Sequence, residues 1–141
     1  MAVKVKSIVL WRKEMSNTPG QLAGVLEPLA NAGADLEVLM GYRYPGDNTR
    51  AAVELYPVSG AKAKKAAKSA GLQASSIPAL LVEGDNKRGV LARISAAIAA
   101  AGINIDFLVA QGGGRKFWAV LGLESSADAQ KASTLIKKAA K

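Results

Sequence analysis

The chain repeats itself, and that restricts its fold more than any other feature. "NTPGQLAGVLEPLANAGADLE" (Asn17–Glu37) aligns without a gap on "NKRGVLARISAAIAAAGINID" (Asn86–Asp106). Asn17 falls on Asn86, Gly20 on Gly89, Leu22 on Leu91, Leu29 on Ile98, Gly33 on Gly102, Leu36 on Ile105 and acidic Glu37 on Asp106, always 69 positions apart, as 17 and 86 are. A constant offset over such a stretch, with matching glycines, marks a tandem duplication. The 141 residues therefore divide into two small modules, expected at 1–75 and 76–141.

Each copy has the same grammar. An apolar, β-branched run comes first, "VKVKSIVLW" or "IPALLVE". A polar loop with a glycine leads into a helix whose apolar positions follow helical spacing: Leu22, Val25, Leu26 and Leu29, or Val90, Leu91, Ile94, Ile98 and Ala101. Gly33 and Gly102 stand where a helix ends on a left-handed residue. Two further strands, "DLEVLMGYRY" with "RAAVELYP" and "NIDFLVAQ" with "FWAVLGLE", flank the turn signals "PGDNT" and "GGGRK". In this part the offset falls to 67, pairing Val53 with Val120 and Ser59 with Ser126, which makes the second hairpin loop two residues shorter. Ser59 and Ser126 are candidate caps of a second helix. "LQAS" (Leu72–Ser75) closes copy one as a short strand.

The order β-α-β-β-α-β predicts an α+β chain, a ferredoxin-like βαββαβ unit repeated twice, with antiparallel sheets and helices on one face. Copy two ends at its second helix, so its last strand is missing. A bare sheet edge is expected there, to be covered by the other copy or by a second chain.

Composition narrows the chemistry. Half the residues are hydrophobic and 21% are charged, which suits a packed domain rather than a disordered one. With no histidine and no cysteine, disulfides, the usual zinc sites and imidazole-based triads are excluded. No close carboxylate pair stands out, so an enzyme is not expected, nor a cofactor. The net charge of +8 raises nucleic-acid binding as an alternative. However, Lys62, Lys64, Lys65 and Lys68, like Lys131, Lys137, Lys138 and Lys141, alternate with alanine in the manner of a solvated helix face. In "RKFWAVLGL", Ala119 and Leu123 stand where an RNA-recognition sheet would carry stacking aromatics. No apolar run is long enough to span a membrane and no signal peptide is read at the start, so the expected address is cytoplasmic, with neither membrane nor nucleic acid as partner.

The remaining chemistry lies in the loops. A glycine at a helix N-terminus admits a ligand to unpaired backbone N–H groups that favour carboxylate or phosphate. Asn17 and Asn86 each precede such a glycine by three residues, while Asp35 and Asn104 lie at the far end of the same helix, opening the next strand. The two ends can meet only if two units pack together. Plainer readings stand beside this one. Asn17, Thr18 and Asn86 are also good helix caps, Asp35 and Asn104 good turn residues, "GGGR" a hairpin loop, and Trp11 and Trp118 core or interface residues.

The loop "N-x-P-G" or "N-x-x-G", the leucine two residues on, the helix and the ending "G-x-N-I" resemble the ACT domain, a small regulatory module that binds amino acids. The likeness covers nearly the whole chain, as two modules. It implies a ligand at the interface between ACT-like units, held by Asn17, Thr18, Pro19 and Gly20 in one loop and Asn86, Lys87, Arg88 and Gly89 in the other. Asn104, or Asp35 in copy one, would add a contact from the strand start. A homodimer and a metabolic enzyme or regulator as target are implied as well, or a regulatory subunit that docks on an enzyme without binding ligand itself. The histidine often found before the family's loop is replaced by Met15 and Gly84.

Overall fold

The computed structural model describes residues 3–141. Its order is β1 (Lys4–Ile8), β2 (Trp11–Ser16), α1 (Gln21–Asn31), β3 (Val38–Tyr44), β4 (Asp47–Tyr56), α2 (Ala61–Ser69), β5 (Gln73–Ala74), β6 (Ala79–Asp85), α3 (Val90–Ala100), β7 (Ile105–Gly113), β8 (Lys116–Leu123) and α4 (Ser126–Ala139). The strands form two antiparallel four-stranded sheets, β3-β4-β2-β5 and β7-β8-β6-β1. This is the expected α+β architecture, twice over.

The run "VKVKSIVLW" is not one strand. It breaks at Val9 and Leu10 into β1 and β2, which join different sheets. β1 pairs with β6 from Lys4↔Glu83 to Ile8↔Ala79, in the position that β5 occupies beside β2 in the other sheet. The strand lacking at the end of copy two is thus supplied by the N-terminal end of the chain. β1 and Ile77–Lys141 form one compact unit and Val9–Ser76 the other.

Each unit packs its helices on one face of its sheet. In Val9–Ser76 the core joins Trp11, Val53, Leu55 and Leu72 to Val25 and Leu29 of α1 and Ala63 and Ala67 of α2. In the other unit Leu80, Val82, Phe117, Ala119, Leu121 and Leu123 meet Ile94 and Ile98 of α3 and Ile136 of α4. Both first helices end alike. The N–H of Gly33 bonds to Ala30 O and that of Ala34 to Leu29 O, while Gly102 and Ile103 bond to Ala99 and Ile98. These are Schellman closures, so Gly33 and Gly102 are C-terminal caps as expected.

The repeat register after the hairpin differs from the sequence alignment by one residue. Lys13 faces Val53, and its counterpart Val82 faces Ala119, so the equivalent of Val53 is Ala119, at an offset of 66 rather than 67. Val120 lies opposite Leu81, on the face away from the helices. A slip of one residue turns every side chain to the other side of a sheet, and matching valines concealed it. With 66, Ser59 corresponds to Ser125. Ser125, not Ser126, is the N-cap of α4, its side chain accepting from Asp128 N at 3.0 Å, whereas α2 starts at Gly60 with no side-chain cap. The hairpins do not differ in turn length either. Tyr44 faces Asp47 across Pro45-Gly46 and Gly113 faces Lys116 across Gly114-Arg115; the extra residues of copy one sit in an irregularity beside Arg43 and Tyr44.

Candidate functional site

The loop between β2 and α1 is built on a turn. Gln21 N reaches Thr18 O at 3.4 Å across Pro19-Gly20, with Gly20 at φ 90°, ψ −11°. Proline at the second position and a positive φ at the third define a type II turn, which leaves glycine as the residue of choice there. The loop between β6 and α3 repeats the geometry: Val90 N bonds to Lys87 O at 3.1 Å across Arg88-Gly89, with Gly89 at φ 79°, ψ 6°. Gly20 and Gly89 are themselves the N-caps of α1 and α3. Neither helix has a side-chain cap or an acidic residue in its first turn.

The asparagines are therefore not helix caps. Asn17 donates its backbone N–H to Thr49 O and its side-chain Nδ2 to Asn48 O, both at 2.9 Å, and so braces the loop against the start of β4. Asn86 N bonds to Arg115 O at 2.8 Å, and its side chain lies against Gly112. Both loops are thus fastened to the adjoining hairpin. Thr18 Oγ1 lies 3.3 Å from Ser16 Oγ. All eight loop residues from Asn17 to Gly20 and from Asn86 to Gly89 are exposed.

The strand starts lie elsewhere. α1 and α3 each span 11 residues, about 16 Å at the rise of an α-helix, and this separates Asp35 from its loop and Asn104 from its own. Neither residue has a positive φ, so the turn reading that invoked left-handed backbone does not apply. Asp35 is exposed. Asn104 Nδ2 donates to Glu124 Oε1 at 3.1 Å and, more weakly, towards Asp106 Oδ1 at 3.4 Å. The geometry brings together the four residues of each loop but does not add the strand start to them within a unit.

Two features escaped the sequence reading. One is Arg93, a turn into α3, whose guanidinium donates to Arg88 O at 3.1 Å and to Ala139 O at 3.3 Å, tying the loop of copy two to the end of α4. Its spacing of four from Gly89 was the available signal. The other is a polar network on the helix-free face of the sheet in Val9–Ser76. Glu14 accepts from Tyr44 OH at 2.6 Å, from Arg12 at 3.2 Å and from Arg50 at 2.5 Å, and Arg12 also donates to Tyr44 OH at 2.6 Å. Arg50 lies over the Tyr44 ring, 4.9 Å from its centroid. Hydrogen bonds from Tyr44 and then Arg12 hold the Glu14 carboxyl below its ordinary range. Burial works against the charge on Arg12, but its bonds to Tyr44 and Glu14 outweigh this and raise its pKa. Tyr42, raised by burial and then by its bond to Glu54, donates to Glu54 Oε2 at 2.9 Å. Glu54 is 4% exposed and its Oε1 has no hydrogen-bond partner.

Gly84, one of the two residues in the place of the family's histidine, admits no side chain: a β-carbon there would come within 2.9 Å of both Phe117 and Val3. Trp11 belongs to the core, but Trp118 is 42% exposed on the helix-free face. Among the described residues no group of three His, Cys, Asp or Glu could hold a metal ion, and no helix is long and apolar enough to cross a membrane.

No protein-family model matches the sequence, and no curated protein matches it. Solved structures do. A protein from Bacteroides thetaiotaomicron superposes with a TM-score of 0.77 at 17% identity, over 92% of this chain and 88% of that one. The ligand-free regulatory subunit of aspartate kinase from Thermus thermophilus superposes at 0.68 with 18% identity, over 100% and 98% of the two chains. The corresponding subunit from Thermus flavus gives 0.64 at 16%, over 100% and 98%. The fold of this chain is thus that of tandem ACT-like proteins, matched over nearly full length on both sides.

Proposed function

We propose that the chain is a non-catalytic regulatory protein of the ACT type that binds an amino acid or a similar small metabolite through its two glycine-turn loops. The observation that carries this reading is the shared build of the loops. Each ends in a type II turn whose glycine starts a helix with no side chain of its own over the first-turn amides. α4 shows the alternative, where Ser125 fills that place. Uncapped amides at a positive helix end suit a carboxylate. The fold shared with aspartate kinase regulatory subunits supports the reading.

In this proposal Asn17, Thr18, Pro19 and Gly20, or Asn86, Lys87, Arg88 and Gly89, receive the carboxylate. A strand start of a second module, Asn104 or Asp35, approaches the ammonium group, through the carboxamide oxygen in one case and the carboxylate in the other. The two sites are unequal, since Lys87 and Arg88 add positive charge to one loop and Pro19 stiffens the other. A homodimer brings the modules together, and ligand occupancy alters how they associate and how they engage a metabolic partner.

A thermal-shift screen of the twenty amino acids tests the proposal. At least one should raise the melting temperature at millimolar concentration, because a ligand that binds only the folded state stabilises it. A flat response to all twenty contradicts it.

A further inference from the structure

The duplication provides an internal control. Where copy two has Leu80 and Val82 in its core, copy one has Trp11 and Lys13. β1 runs for five residues beside β6, whereas β5 runs for only two beside β2. α4 has 14 residues against nine in α2. In copy two, Val3 just before β1, Val5 of β1, and Leu135 and Ala139 of α4 pack against the core. Copy one has a shorter edge strand and a shorter helix there, although Trp11 and Leu72 are themselves buried, 9% and 1% exposed. It has an open hollow of about 580 Å³ lined by Trp11, Lys64, Lys68, Leu72, Gln73 and the turn at Gly71.

The hollow has a consistent chemistry. Trp11 and Leu72 belong to the core and supply an apolar floor. Lys64 and Lys68 are one turn apart on the same side of α2. Lys13 runs along Gly71, which lines the hollow, its Cε 3.1 Å and its Nζ 3.4 Å from where a β-carbon would stand. Among the described residues none of these three lysines takes part in an ion pair, and from Pro57 to Ser76 the chain carries no Asp or Glu. The volume lies within the range of small-molecule sites.

We infer that this hollow is a second ligand site, separate from the glycine-turn loops, for a small anion that carries a flat apolar group. The group lies against the edge of Trp11 that borders the hollow, and its carboxylate, sulfonate or phosphate faces Lys13, Lys64 and Lys68. The inference does not depend on amino-acid binding at the loops.

The test uses the full chain with Trp118→Phe, which leaves Trp11 as the reporter, and 1-anilinonaphthalene-8-sulfonate as the probe. Saturable quenching of Trp11 is expected, with Kd raised about tenfold or more by Lys64→Glu/Lys68→Glu. The same charge change on α4, Lys131→Glu/Lys138→Glu, should leave Kd within roughly twofold, and raised salt should weaken binding. Uncharged 1-anilinonaphthalene should bind more weakly than the sulfonate. Near-ultraviolet circular dichroism confirms that each variant is folded. Unsaturable quenching, equal loss in both charge variants, or equal binding of the uncharged probe would each overturn the inference.

Discussion

Asn17 donates its side-chain amide to the main-chain carbonyl of Asn48 at 2.9 Å, so a residue suited to capping a helix holds the loop to a hairpin instead. With the backbone bond from Asn17 to Thr49 O, it presets the path that leads to Gly20. Asn17→Ala removes one exposed hydrogen bond and should lower stability by about 0.5–1.5 kcal/mol without changing helix content. Denaturant unfolding followed by circular dichroism measures both. If the loop also holds ligand, Asn17→Ala and Asn104→Ala each weaken binding in folded protein.

Phe107 lies across Gly122, where a β-carbon would come within 2.1 Å of the ring. Gly122→Ala should therefore destabilise the protein, by about 1–3 kcal/mol as for other overpacked sites. Gly24, inside α1 with open space around it, predicts the opposite: Gly24→Ala should stabilise by about 0.5–1 kcal/mol. Thermal unfolding of the pair gives opposite signs if the packing is as described.

The repeat register after the hairpin is testable at the caps. Ser125→Ala should cost about 1 kcal/mol, the usual value of a lost N-cap. Ser59→Ala and Ser126→Ala should be close to neutral, because neither side chain caps a helix. Equal effects at Ser125 and Ser126 would contradict the assignment.

Acid sensitivity follows from Glu14 and Asp47. Hydrogen bonds from Tyr44 and Arg12 lower the pKa of Glu14, and those from the Thr49 side chain and backbone lower that of Asp47. A carboxyl lowered in the folded state contributes stability above its ordinary range, and this is lost as pH falls through the lowered value. The gap in melting temperature between the wild type and Glu14→Gln should accordingly shrink on acidification below the ordinary carboxylate range. A gap that widens there would refute the sign.

The sequence made the duplication, the strand and helix order and both Schellman glycines legible, because all of them depend on local periodicity and on positive φ. Gly20 and Gly89 were legible as glycines leading into a helix, but not the type II turns they close. What it concealed depends on strand pairing. Nothing local in "VKVKSIVLW" shows that β1 completes the sheet of the other copy, and Val53 over Val120 is a better match by eye than the true partner Ala119. The network of Glu14, Arg12, Tyr44 and Arg50 and the hollow beside Trp11 were hidden likewise, since they exist only once the strands are in register.

Ligand binding at the glycine-turn loops is tested most directly by amide chemical-shift mapping by NMR as amino acids are added to the full chain. Saturable shifts are expected, centred on the unpaired first-turn amides, Leu22 and Ala23 or Leu91 and Ala92, with a response at Asn104 or Asp35. Saturable shifts confined to other regions, or no shifts with any of the twenty amino acids at millimolar concentration, would contradict it.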